Sequence, residues 1–244
     1  MLVYLLTAVL LASQIEDPSV DAVIAELTTR GFSRQEAETL FRDPRLKAYP
    51  PVQVQARKID WDRYIDQLIV RSSVNAGRQF LRAHQETLLR AEERFGVGKE
   101  VIVAILRTES NLGQNMGRYG VFNVFYTFLL QGPEARRWQW AVDNLVSLAV
   151  YCRTTATDCF KLQGSFAGAM GPAQFLPRSV ENFGVDGDSD GQVNPFQIED
   201  AIFSAANFLI QHGWNEDQTK ALGAYYGSSV GYPRAVLAYA EALK

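Results

Sequence analysis

The sequence predicts an all-α fold, mostly helical with at most a trivial β element, on three observations. Apolar residues recur at helical spacing from residue 17 onward, alternation of period two is nearly absent, and glycines gather in one loop, 164–171. With 47% hydrophobic and 21% charged residues, the 244-residue chain has a globular composition and room for one sizeable core plus a small lobe. A net charge of −3 offers no basic field for a phosphate backbone, so nucleic acid is set aside as a partner.

The chain opens on an unbroken apolar run, Leu2 to Ala12, too short for a bilayer, which takes about 20 apolar residues. It reads as the apolar region of a secretory signal, which implies export; a buried N-terminal helix is the other reading. No Cys follows it to carry a lipid anchor. Asp17-Pro18 opens a helix with Val20, Val23, Ile24 and Leu27 on one face, closed by Gly31. Ser33 and Glu36 are spaced as a capping box before a short second helix. Residues 43–60 hold three prolines and predict a connector. A long helix then runs to about Phe95 and ends at Gly96, and further helices fit 98–110, 133–152, 174–183, 200–212, 216–226 and 231–243. The expected organisation is a signal-like segment (1–13), an N-terminal helical subdomain (14–95) and a core (96–244). Cys152 and Cys159 flank the stretch RTTATD; they close a small loop in an oxidising compartment or stand as two small buried thiols.

The segment VIVAILRTES carries the residue of most chemical interest. Ile102, Ile105, Leu106 and Glu109 fall at i, i+3, i+4 and i+7, one stripe of a helix. A carboxyl on a core-facing stripe is costly to ionise, so its pKa rises and it stays protonated near neutrality, as a general acid for glycosidic cleavage requires. A Glu near a helix end, paired with Arg107 or Arg118 or simply solvated, is the plainer reading of this stripe taken alone. Other chemistries are poorly supplied. His84 and His212 are far apart and in no metal-spaced motif, no Ser-His-Asp arrangement is legible, and the loop 164–171 lacks the Lys of a phosphate loop.

Asp186-Gly187-Asp188-Ser189-Asp190-Gly191 matches the first six positions of an EF-hand loop. Three carboxylates on alternate residues can converge on calcium, with the Gln192 carbonyl next; uncompensated, they repel one another, as they would in a plain acidic surface turn. The twelfth position is Gln197 instead of Glu, which leaves Glu199 or Asp200 as a closing ligand. One such loop suggests a structural clip more than a sensor.

Taken in order, these elements resemble the lytic murein transglycosylase B family of the lysozyme-like superfamily. The resemblance rests on Arg107 to Gly113 (RTESNLG), Leu162 to Pro177 (LQGSFAGAMGPAQFLP), the acidic loop, His212-Gly213-Trp214, Tyr226-Gly227-Ser228-Ser229 and Tyr232. A weaker echo, including Gly31-Phe32-Ser33 and Trp61, reaches back to residue 20. The resemblance implies a lysozyme-like core acting on peptidoglycan glycan strands, with Glu109 as the single catalytic acid. It places Ser165, Gln174, Tyr226 and Tyr232 along the sugar and structural Ca2+ on Asp186, Asp188, Asp190, Gln192 and Asp200. It implies a monomer without organic cofactor. The implied product carries 1,6-anhydromuramic ends, because the sugar's own 6-hydroxyl replaces water. A hydrolase activating water, a non-catalytic peptidoglycan-binding protein and a calcium-dependent interaction module are the rivals. Two departures stand out: Gly227 replaces the family's Asn, and the small lobe that longer members insert between Trp214 and Tyr226 is missing.

Overall fold

The computed structural model describes residues 17–50, 59–227 and 230–244; the apolar run Leu2 to Ala12, part of the connector, Ser228 and Ser229 lie outside the described residues. In chain order the helices are α1 (Pro18–Thr29), α2 (Arg34–Phe41), α3 (Trp61–Leu68), α4 (Arg71–Ala83), α5 (Gln85–Phe95) and α6 (Lys99–Ser110). They continue as α7 (Val121–Leu129), α8 (Trp138–Thr154), α9 (Pro177–Phe183), α10 (Ile198–Gln211), α11 (Gln218–Tyr226) and α12 (Gly231–Leu243). The β content described is one short antiparallel ribbon, β1 (Tyr119–Gly120) with β2 (Gln163–Gly164), in the register Tyr119 opposite Gly164. The fold is all-α.

The chain forms two compact units, each drawing on separated segments. The first takes the described residues up to 50, then 117–169 and 176–181. Asp17 caps α1 by accepting the Ser19 N–H, and Val20, Val23, Ile24 and Leu27 are buried, as the spacing predicts. Ser33 and Glu36 close their capping box in both directions. α8 packs on α1 and α7, and Cys152 near its end is joined to Cys159 by a disulfide with Cα atoms 5.6 Å apart. Sequence periodicity missed α7. Its segment VFNVFYTFL is buried almost all round, so no polar face alternates with an apolar one to reveal the turn.

The second unit takes the described residues from 59 to 116, then 170–175 and 182–244. α6 is its central helix: Ile102 through Leu106 are all fully buried. α12 packs along α6, with α4, α5 and α10 also against α6, α3 against α12, and α11 against α12 and α10. The long helix expected before Gly96 is three helices. α3 stops at Ile69, Val70 is extended at the start of α4, and His84 is non-helical between α4 and α5. No Gly or Pro marks these breaks; tertiary packing sets them, since α4 faces α6 and α12 while α5 faces α10. Gly96 ends α5 in a left-handed conformation, as expected of a C-terminal cap.

Candidate active site

Glu109 lies one residue before the end of α6. Its stripe is the buried one, and its carboxyl sits inside the protein although the residue keeps some accessible surface. Burial is the largest cause of a pKa raised to about 7, opposed by one hydrogen bond from the Tyr232 hydroxyl to Oε1 at 2.6 Å. Of the two basic partners in the plainer reading, Arg107 is engaged elsewhere. Arg107 donates to Ser73 Oγ and to the Asn111 side chain. A half-protonated carboxyl at neutral pH, with one oxygen held, can both give and take a proton.

Tyr232 is fully buried at the start of α12, and its phenol is pushed well above the usual range by burial and by the Glu109 carboxyl. The α12 helix, more than α11, supplies the close packing against the Glu109 helix. α11 ends at Gly227, and Tyr226 reaches the site by stacking on Tyr232, rings 4.9 Å apart and 13° from parallel. Tyr226 is 44% exposed, so one face of this stack is open.

Three aromatic side chains complete the wall. Tyr225 also lies parallel to Tyr232, ring centroids 6.2 Å apart, and Trp61 meets Tyr226 and Tyr64 edge-on. Burial raises the Tyr64 pKa, against a hydrogen bond with Thr108, the residue before Glu109. Trp61 lies so close to Gly231 that any Cβ there would meet its ring carbons at 2.0 Å. Tyr64 and Tyr225 escaped the sequence reading. Their roles depend on contacts between distant segments, and aromatic residues at helical spacing read equally well as core.

Gln174 belongs to the turn 170–175 and adopts a left-handed φ of 50°. Its amide Nε2 donates to the Gly171 carbonyl at 2.8 Å and lies 3.4 Å from that of Met116. Gly171 itself is obligatory: at φ +69° a Cβ would stand 1.7 Å from the Pro195 carbonyl oxygen. Ser165 lies in the other unit, where its Oγ accepts the N–H groups of Ala167 and Ala169 and so braces its own loop. The glycines of that loop allow close approach: Gly168 faces the Phe125 ring and Gly164 the Ala169 carbonyl. His212 is the C-cap of α10, with Nδ1 2.7 Å from the Phe208 carbonyl and its ring stacked on Phe208.

The acidic loop converges in part. Carboxylate oxygens of Asp186, Asp188 and Asp200 lie within 4.8 Å of one another. Asp200 is fully buried and accepts the N–H groups of Gly187 and Asn194, while burial raises its pKa. Asp186 accepts from Ser189, Asp190 and Gly191. Asp190 accepts the Gln192 N–H, and Gln197 donates to Asp188. A buried carboxylate beside two others, with oxygen donors alone, suits a hard divalent cation.

The described fold is all-α, with a buried acid on the central helix of its unit and tyrosines packed around it. The chain belongs to the family described as the transglycosylase SLT domain, whose model matches residues 16–233, in agreement with the resemblance to lytic murein transglycosylase B. It is 34% identical over 173 residues to the membrane-bound lytic murein transglycosylase B of Escherichia coli strain K12, covering 71% of this chain and 47% of that protein. It thus spans about half the length of that curated relative. The structure of the Escherichia coli lytic transglycosylase SLT35 in complex with calcium shares the fold, with a TM-score of 0.83 over 93% of each chain at 23% identity. SltB3 of Pseudomonas aeruginosa, solved with NAG-anhNAM-pentapeptide, superposes with a TM-score of 0.69 at 27% identity, over 80% of this chain and 52% of that one.

Proposed function

We propose that the chain is a peptidoglycan lytic transglycosylase that cleaves the β-1,4 bond from N-acetylmuramic acid to N-acetylglucosamine with Glu109 as its one catalytic acid. The observation that carries this reading is the Glu109 carboxyl, poised at a pKa of about 7 with one oxygen held by Tyr232. With Oε1 engaged, the transferable proton sits on Oε2 and passes to the glycosidic oxygen as that bond breaks. The oxocarbenium-like sugar then loses its positive charge to its own 6-hydroxyl, whose proton returns to Glu109. Atoms balance without water, and the attack gains from being intramolecular. A hydrolase with inversion needs a second carboxylate about 6.5–9.5 Å away to activate water.

The same reading puts Tyr226, Tyr232 and Gln174 along the glycan, with Trp61 and Tyr64 extending the aromatic wall from α3, and locates the rest of the active core in residues 96–244, where the resemblance also gives Ser165 a sugar contact. Calcium is assigned to Asp186, Asp188 and Asp200, with Asp190 and Gln192 completing the loop; it would tie the start of α10 to the loop and supply no chemistry. Action on the wall entails export, for which Leu2 to Ala12 is the candidate signal. None of the described helices is long and apolar enough to cross a membrane. The test is clearing of purified sacculi by the wild type and by Glu109→Gln. Activity lost in the variant supports the assignment, and comparable activity in both overturns it.

A further inference from the structure

Two hydroxyls that the proposed chemistry does not use converge on one turn. Ser110, the residue after Glu109, is buried, and its single hydroxyl proton points to the nearer of two carbonyls, that of Pro172 at 2.7 Å rather than Leu106 at 3.2 Å. The same oxygen accepts the Gly113 N–H at 2.8 Å. Tyr225, the residue before Tyr226, donates its hydroxyl to the Ala173 carbonyl at 2.8 Å, and burial pushes that phenol well above the usual range. Pro172 and Ala173 immediately precede Gln174, whose left-handed φ of 50° is unusual outside glycine. On the other side of Ser110 the backbone is also left-handed, at Asn111, Leu112 and Gly113. For Leu112, with its bulky side chain, such a conformation persists only where surrounding bonds hold it.

We infer that Ser110 and Tyr225 are positioning residues that pin successive carbonyls of the 170–175 turn and thereby fix Gln174 relative to Glu109 and the Tyr226–Tyr232 stack. Each hydroxyl belongs to a sequence neighbour of a proposed site residue, so any shift of the turn is referred to the acid at one end and to the tyrosines at the other. Tyr225 does this twice, because its ring also packs on Tyr232. Neither residue touches the sugar in this account; both act through Gln174. The inference rests on the lytic reading only for its activity measurement.

The experiment is a double-mutant cycle. Ser110→Ala and Tyr225→Phe each remove one hydroxyl and little volume, and each is made in the wild type and in Gln174→Ala. A misplaced binding group can cost roughly ten- to a hundredfold in turnover, so each single variant is expected to lower kcat on sacculi by at least about tenfold with KM changed less. In the Gln174→Ala background the further loss should shrink to within about twofold, since groups acting through one partner are not additive. Equal losses in both backgrounds would overturn the inference, because a general loosening of the fold does not depend on Gln174. The Gln174 side-chain amide resonances give a readout without turnover: they should move in Tyr225→Phe and in Ser110→Ala, and unmoved resonances in folded variants contradict the pinning. If the wild type clears no sacculi, the lytic reading fails while the amide shifts still decide this one. If Ser110→Ala does not fold, Tyr225→Phe alone decides it.

Discussion

At the scale of single residues the account turns on Glu109. Its stripe was legible in the sequence, because Ile102, Ile105 and Leu106 fix the face on which position 109 must lie. Its partner was not legible, since the Tyr232 bond spans 123 residues and only the packing of α12 on α6 creates it. A general acid must be protonated, so turnover should fall as pH rises through about 7, the Glu109 value. Stability should follow the same group. Its folded pKa lies above its ordinary 4.5, so its contribution is fully present below 4.5 and is lost as pH rises through about 7. The full loss amounts to roughly 3 kcal/mol. Glu109→Gln should therefore match the wild type in urea unfolding near pH 4 and exceed it near pH 8. Parallel pH dependence in the two proteins would show that the carboxyl is not desolvated.

At the scale of elements, caps and loop chemistry were readable and helix breaks were not. Asp17, Ser33 and Glu36 announce α1 and α2 through side chains that satisfy their own neighbouring N–H groups, a purely local matter. The breaks at Val70 and His84 have no such local signal, and α7 hides because both its faces are covered. The glycines of the 164–171 loop were legible as a cluster, although their contacts were not. Gly171→Ala places a methyl 1.7 Å from the Pro195 carbonyl at a positive φ, and should lower stability by about 3 kcal/mol or more, read as a fall in Tm. A melting curve like the wild type's would mean that the turn moves freely, which also conflicts with the pinning by Ser110 and Tyr225. The acidic loop gives a second test. Calcium at about a hundred times its Kd should stabilise by roughly 3 kcal/mol, several degrees in Tm. Asp188→Ala should abolish that rise, and a Tm unmoved by calcium or by chelation would remove the assignment.

At the scale of the whole molecule, α10, the His212-Gly213-Trp214 turn and α11 follow one another directly, with no inserted lobe between Trp214 and Tyr226. Gly227, where the resemblance implies an Asn, stands at the end of α11 with φ at +80° and no atom of the described residues within 4 Å of a notional Cβ. Asn is among the few residues that tolerate this conformation. Gly227→Asn should thus fold normally and strengthen glycan binding by about 0.5–1.5 kcal/mol, seen as a lower KM, if one polar anchor is what the chain lacks. The central claim is that one carboxyl, used twice and without water, cuts the glycan strand. Mass spectrometry of the fragments released from purified sacculi tests it most directly. The account predicts muropeptides ending in 1,6-anhydromuramic acid, lighter by one water than hydrolysed ends, from the wild type and none from Glu109→Gln. Reducing ends from the wild type, or anhydro ends undiminished in the variant, would contradict it.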